Sequence, residues 1–155
     1  MFKVNIYIET TWRGPARKSG AAMWIVEYQT KGGIPVTRDG MVYLEDGTEN
    51  QGVLTALTEA FRILTKPCSV RVFTRCDHVL CTVGNGWHIQ WQKNGWHNAK
   101  GKPVKNAGLW QELMTVMEPH ACTWLNEDHT YRSVMEMDLR KEIEHHDRRI
   151  QGDPR

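Results

Sequence analysis

The first apolar run alternates. Val4, Ile6 and Ile8 share one face of an extended chain and Asn5, Tyr7 and Glu9 the other, the period-2 pattern of a strand. A loop of glycine, proline and basic residues, Thr11 to Gly20, separates it from a second apolar run, Ala21 to Tyr28. Lys31–Gly33 reads as a turn and Pro35 to Leu44 as a third strand, with a bend or bulge at Asp39–Gly40. The period then changes: Val53, Leu54, Leu57, Ala60, Phe61 and Leu64 follow helical spacing between Glu49 and Leu64, and Lys66–Pro67 stops that helix. Val70 to Thr74 reads as a short buried strand. Asp77 is placed to cap a helix over 78–83, which Gly84–Asn85–Gly86 breaks, and a further helix over 87–93 ends at Asn94–Gly95. Beyond an irregular polar stretch, Ala107 to Met117 is helical, Ala121 to Leu125 a strand and Ser133 to His146 a long helix.

This order predicts an α/β fold, a five-stranded mixed sheet with helices packed against its faces. The 155 residues suit one domain, placed over 1–147 with 148–155 as a flexible tail. Hydrophobic residues at 40% and charged residues at 25% exclude a disordered chain. No apolar run approaches the length of a membrane span. Cys68, Cys76, Cys81 and Cys122 form no C-x-x-C pair, and no secretory segment opens the chain. A soluble protein of a reducing, bacterial cytoplasm is expected.

The formal charge of +2 decides nothing, but its distribution does. Between Trp87 and Trp110 lie Lys93, Lys100, Lys102 and Lys105 with no Asp or Glu, whereas Asp39, Glu45, Asp46 and Glu49 crowd an earlier stretch. Such asymmetry predicts one anion-seeking face. Lysines that neutralise phosphates give sequence-independent, salt-sensitive affinity for nucleic acid. Trp87, Trp91 and Trp96 can stack on a bound strand or pack the segment against the body; packing is the expectation for Trp87 and Trp91, with Trp96 more open. His145 and His146 point about 100° apart on a helix and do not share an ion.

The segment from Trp87 to Trp110, with its W-x-K-N-G-W core and K-P-V-K-N…L-W ending, resembles the basic handle of bacterial type 1 ribonucleases H. The order of elements fits that family from Lys3 to about His145. The resemblance implies a handle that contacts the DNA strand of an RNA–DNA hybrid, and a centre that cleaves the RNA strand with two divalent metals. It also implies a phosphate-holding pocket at Thr48 and Asn106 and a hybrid contact at Asn50. Thr48 and Asn106 are equally suited to cap the helices that follow them.

At the centre the sequence departs from the family, which supplies four carboxylates to Mg²⁺ or Mn²⁺. Glu9 stands at the first position, Val53 at the second, Arg75 at the third and Asp138 at the fourth. Glu9 and Asp138 are thus the catalytic and metal-binding pair implied by the resemblance, expected to converge. Glu49, Asp77 and Asp128 are conceivable substitutes, and His129 lies one residue from the position of a mobile family histidine. A guanidinium at the third position opposes a divalent cation and offers an ion pair to Glu9 or Asp138. The leading expectation is a ribonuclease H-like domain that binds RNA–DNA hybrid or duplex nucleic acid with hydrolysis lost or strongly weakened. The alternatives are an active endoribonuclease using Mg or Mn, and a structural protein-interaction domain; the sequence names no protein partner, and no metal is required unless the domain is active.

Overall fold

A computed structural model describes residues 1–150. Five strands form one mixed sheet in the order β3-β2-β1-β4-β5. β1 (Phe2–Thr10), β2 (Lys18–Tyr28) and β3 (Val36–Gly47) make an antiparallel meander. β4 (Cys68–Phe73) runs parallel to β1, and β5 (Ala121–Leu125) parallel to β4. β1 is therefore central, and both of its faces are covered.

One face carries Val4, Ile6 and Ile8 into the main core, against Leu54, Leu57 and Phe61 of α1 (Glu49–Arg62), Val79 of α2 (Asp77–Asn85) and Trp110 and Leu113 of α4 (Ala107–Met117). The other face carries Tyr7 into a second core with Ala21, Met23, Ile25 and Phe73, closed by Met135 and Leu139 of α5 (Arg132–Ile150). Helices thus lie on both sides of the sheet, and Asn5 and Glu9 are buried polar groups beneath α5's side. α3 (Trp87–Lys93) has no fully buried residue and meets the main core through partly buried Trp91.

Local chemistry explains most boundaries and corrects some expectations. α1 starts with a capping box: Thr48 Oγ1 accepts from the Gln51 N–H and Gln51 Oε1 accepts from the Thr48 N–H. α2 begins one residue earlier than expected, with Cys76 at the N-cap and Asp77 as its first helical residue. Asp77 therefore favours the helix through its charge at the positive end of the dipole rather than as a cap. Asp39–Gly40 forms no bulge: Ile25 pairs with Asp39 and Trp24 with Gly40 in regular register, and the shift lies at Lys18/Gly20. Gly40 is needed for space, since a Cβ there would overlap the Trp24 ring. α5 runs on to Ile150, past the boundary expected at 147, and residues 151–155 of the expected tail lie outside the described residues. No helix among the described residues is long and apolar enough to cross a membrane.

Candidate nucleic-acid interface and the centre beside it

Glu9, near the end of β1, has a side chain 3% exposed, and both of its carboxylate oxygens are engaged. Arg75, in the loop after β4, donates from Nη2 to Oε1 at 2.7 Å. His129 donates from Nε2 to Oε2 at 2.8 Å, and Arg132 approaches the same oxygen through Nε at 3.4 Å. His129 Nδ1 accepts from the Tyr131 N–H at 3.2 Å, which puts the ring proton on Nε2 and makes the imidazole neutral. The ring is itself buried and stacked on Tyr7, centroids 4.6 Å apart. Burial pushes the Glu9 carboxyl up, but the hydrogen bonds from His129 and Arg75 and the nearby Arg75 and Arg132 charges outweigh it and hold the group below the ordinary Glu range.

Glu9 and Asp138 were expected to converge; among the described residues no hydrogen bond or ion pair ties Asp138 to the groups around Glu9. The acidic group of α5 that reaches this centre is Glu136, 3.5 Å from Arg75 Nη2. Asp138 lies two residues on, about 200° round the helix. It lines a separate cleft with Met23, Asp39, Met41, Lys141 and His145 against β2 and β3. Helical phase explains the outcome: Met135 and Leu139 are buried against the sheet, Arg132 and Glu136 flank that stripe toward Glu9, and Asp138 flanks it on the other side.

These residues do not fit a pair of divalent metals. Val53 is fully buried in the main core and offers no oxygen. Glu9's oxygens are taken by two cations and a neutral imidazole, and no group of three His, Cys, Asp or Glu side chains is arranged to hold an ion among the described residues. Hard cations need several oxygens at once. Glu49 and Asp77 do line the same cleft as Glu9, Arg13 and Arg75, a hollow of about 360 Å³. The Glu49 carboxyl is pushed up by burial first and by the Asp77 charge second, with the Cys76 thiol and Arg13 pulling the other way. Asp128 is exposed and paired with Arg132 at 3.1 Å.

The handle is built from α3 and the loop that follows it. Trp96 N–H donates to Trp91 O at 2.7 Å, Val104 N–H to Trp96 O at 3.0 Å, and His97 and Pro103 form an isolated bridge. Asn98 Oδ1 accepts from the backbone N–H groups of both Lys100 and Lys102, at 3.0 Å each. Lys93, Lys100, Lys102 and Lys105 are all exposed, and none has an ion-pair partner among the described residues. The tryptophans divide differently from expectation. Trp91 packs edge-on against fully buried Trp110, centroids 6.1 Å apart, and Trp96 also packs against the main core. Trp87, expected to pack, is 42% exposed instead.

Thr48 spends its hydroxyl on the capping box, whereas Asn106 adopts a left-handed conformation (φ 61°) before α4 and makes no side-chain cap. The capping role foreseen for Asn106 is thus not realised. Asn50 Oδ1 lies 3.6 Å from the Cys76 thiol, which points it toward the loop after β4. Arg13, Arg132 and Glu136 escaped the sequence reading. The i, i+4 spacing of Arg132 and Glu136 was the available signal for a shared helix face.

The RNase H family model matches residues 2–126. This chain belongs to the ribonuclease H family. It is 38% identical over 128 residues to a ribonuclease H of Cupriavidus necator, covering 80% of this chain and 81% of that one. It is 27% identical over 147 residues to one of Caldanaerobacter subterraneus subsp. tengcongensis, covering 92% of each. The crystal structure of LC9-RNase H1, a type 1 RNase H with the type 2 active-site motif, superposes with a TM-score of 0.69 at 28% identity, over 81% of this chain and 63% of that chain. The solution structure of the PFV RNase H domain shares the fold at a TM-score of 0.58 and 17% identity. The family match stops short of α5, the element that carries Arg132, Glu136 and Asp138.

Proposed function

We propose that this domain binds RNA–DNA hybrid or duplex nucleic acid through its handle and has lost, or nearly lost, hydrolysis. One observation carries the second half: the carboxylate that a metal would use first, Glu9, is buried and has both oxygens held by Arg75, His129 and Arg132. A divalent ion entering there would have to displace a guanidinium and then meet its charge. The handle supports the first half, since four exposed lysines without acidic neighbours present a phosphate-binding surface that the fold leaves unsatisfied. Thr48, Asn50, Asn106 and Trp87 are the further contacts this reading assigns, and a cytoplasmic setting is consistent with it.

The relatives are named ribonucleases H, and Glu49 and Asp77 share a cleft with Glu9. A displaced metal centre is therefore the competing reading. A labelled hybrid incubated with the domain in Mg²⁺ or Mn²⁺ separates the two. We expect binding by gel shift without cleavage of the RNA strand; cleavage that Glu9→Gln abolishes would establish the displaced centre instead.

A further inference from the structure

Arg75 has nitrogens to spare. Its Nη2 alone meets Glu9 and Glu136, its side chain is 43% exposed, and its Nε and Nη1 have no hydrogen-bond partner among the described residues. It lines the 360 Å³ cleft beside Glu9. Arg13 lines the same cleft, is exposed, and donates from Nη1 only to the neutral backbone carbonyls of Thr10 (2.6 Å) and Trp12 (3.3 Å). No carboxylate pairs with Arg13 among the described residues.

Cations already sit among the carboxylates around Glu9. Arg75 meets Glu9 and Glu136, and Arg132 meets Glu9 and Asp128, two cations among three anions. A phosphate approaching a bare cluster of carboxylates is repelled unless cations screen it, but here the screening cations are part of the chain. We propose that Arg75 and Arg13 hold a backbone phosphate of the bound strand in this cleft, so that hybrid binding requires no divalent cation. The inference rests on the hybrid-binding reading above.

Glu49 and Asp77 line the cleft as well, so its overall field does not draw a phosphate in. The contact depends on direct donation. A guanidinium presents a planar fork that matches two phosphate oxygens, and part of Arg75's fork is already fixed by its bond to Glu9. Burial and the Asp77 charge raise the Glu49 carboxyl, which lessens the opposition on that wall.

Fluorescence anisotropy with a short fluorescein-labelled RNA–DNA hybrid tests this, using the full chain in EDTA and in Mg²⁺ at matched ionic strength. Wild-type affinity should be no weaker in EDTA. Arg13→Gln removes a charge and should weaken binding roughly 3- to 10-fold, lowering the log–log salt slope by about 0.9. Arg75→Lys keeps a cation beside Glu9 but loses the fork; it should weaken binding by a similar factor and leave the slope unchanged. Circular dichroism checks that both variants fold. Wild-type binding at least 10-fold weaker in EDTA, or both variants binding like wild type, overturns the inference. If those variants bind normally while a handle-lysine variant does not, the handle reading stands and this inference alone falls. If the wild type binds no hybrid under either condition, both fall together.

Discussion

On the handle, four lysines stand exposed with no acidic neighbour; at the end of β1 each charged group is already bonded to another. Burial accounts for the contrast. An ammonium in water costs nothing to leave unpaired, whereas a carboxylate that is 3% exposed must be paired or protonated. Where the sequence puts Arg75 and Val53, pairing through the chain itself was the available solution, and it occupies the carboxylate a metal would need. The handle rests on α3, its loop and α4, and the centre on β1, the loop after β4, and α5. On the function proposed above, separate supports would let binding persist while the chemistry erodes.

The largest effect should come from the handle. Changing Lys93, Lys100, Lys102 and Lys105 together to Gln removes about 0.9 decade of affinity per phosphate contact in 0.1 M salt, so between three and four decades if all four make contacts, roughly 5 kcal/mol. Urea unfolding should move by no more than about 0.5 kcal/mol, because the four side chains are exposed. Unchanged hybrid binding in this variant would make the lysines ordinary solvated surface and favour a protein-interaction role.

The centre should respond in the opposite sense. His129→Ala removes a buried ring stacked on Tyr7 and the donor to Glu9 Oε2, so stability should fall by roughly 2–4 kcal/mol. Hybrid affinity should stay within about twofold. Loss of stability measured by urea unfolding marks the histidine as part of the scaffold. A variant of normal stability would mean that the ring is free to move and does not hold Glu9.

Acid should expose the same contrast more gently. Glu9 is held below the ordinary Glu range, and so is Glu27: burial pushes the latter up, but donation from Tyr131, Asn5 and Tyr7 and the charge of Arg71 overcome it. Groups depressed in the folded state contribute stability above the unfolded value, about 4.3, that is lost as pH falls through the folded one. His78, His88 and His120 are depressed by burial, so they begin to cost stability when pH drops below about 6.5, as the unfolded chain takes up protons first. Glu49 is raised and works the other way, favouring the fold when protonated. Thermal unfolding followed from pH 8 to pH 3 should therefore fall in two steps, near about 6.5 and below about 4.3. Glu9→Gln should shrink only the second.

Much of this was legible from periodicity. Alternation placed β1 and helical spacing placed α1, because each depends on neighbours in sequence, while the W-x-K-N-G-W run marked the handle through its resemblance to the family. The centre depends on phase. Asp138 was assigned through the family's final-helix carboxylate, and a displacement of two residues on a helix moves a side chain to the opposite flank; the loop before α5 also bends His129 back onto Glu9. Of the two ion pairs foreseen for Arg75, with Glu9 or with Asp138, the structure forms the one with Glu9, and its second partner is Glu136. Arg13 stayed invisible because a backbone-bonded arginine in a basic loop has no pattern of its own.

The tryptophans give the finest test of where binding and packing divide. Trp87 and Trp91 sit one helical turn apart on α3, yet Trp87 is 42% exposed while Trp91 lies edge-on against Trp110 within the main core. Stacking on a base or sugar requires an accessible ring, and Trp87 is the exposed one of the two; a ring committed to a buried partner can only stack after leaving it. Trp87→Ala should therefore weaken hybrid binding by about 1 kcal/mol, near the lower end for a stacked base, and leave unfolding unchanged. Trp91→Ala should lower stability by roughly 2 kcal/mol and affect binding only as far as the handle loosens, because Trp96 bonds to the Trp91 carbonyl through the backbone, which the substitution keeps. Paired anisotropy and urea measurements on the two variants check this. The opposite assignment, binding lost with Trp91 and stability lost with Trp87, would mean that the handle reorganises on nucleic acid and that its free conformation is not the one that binds.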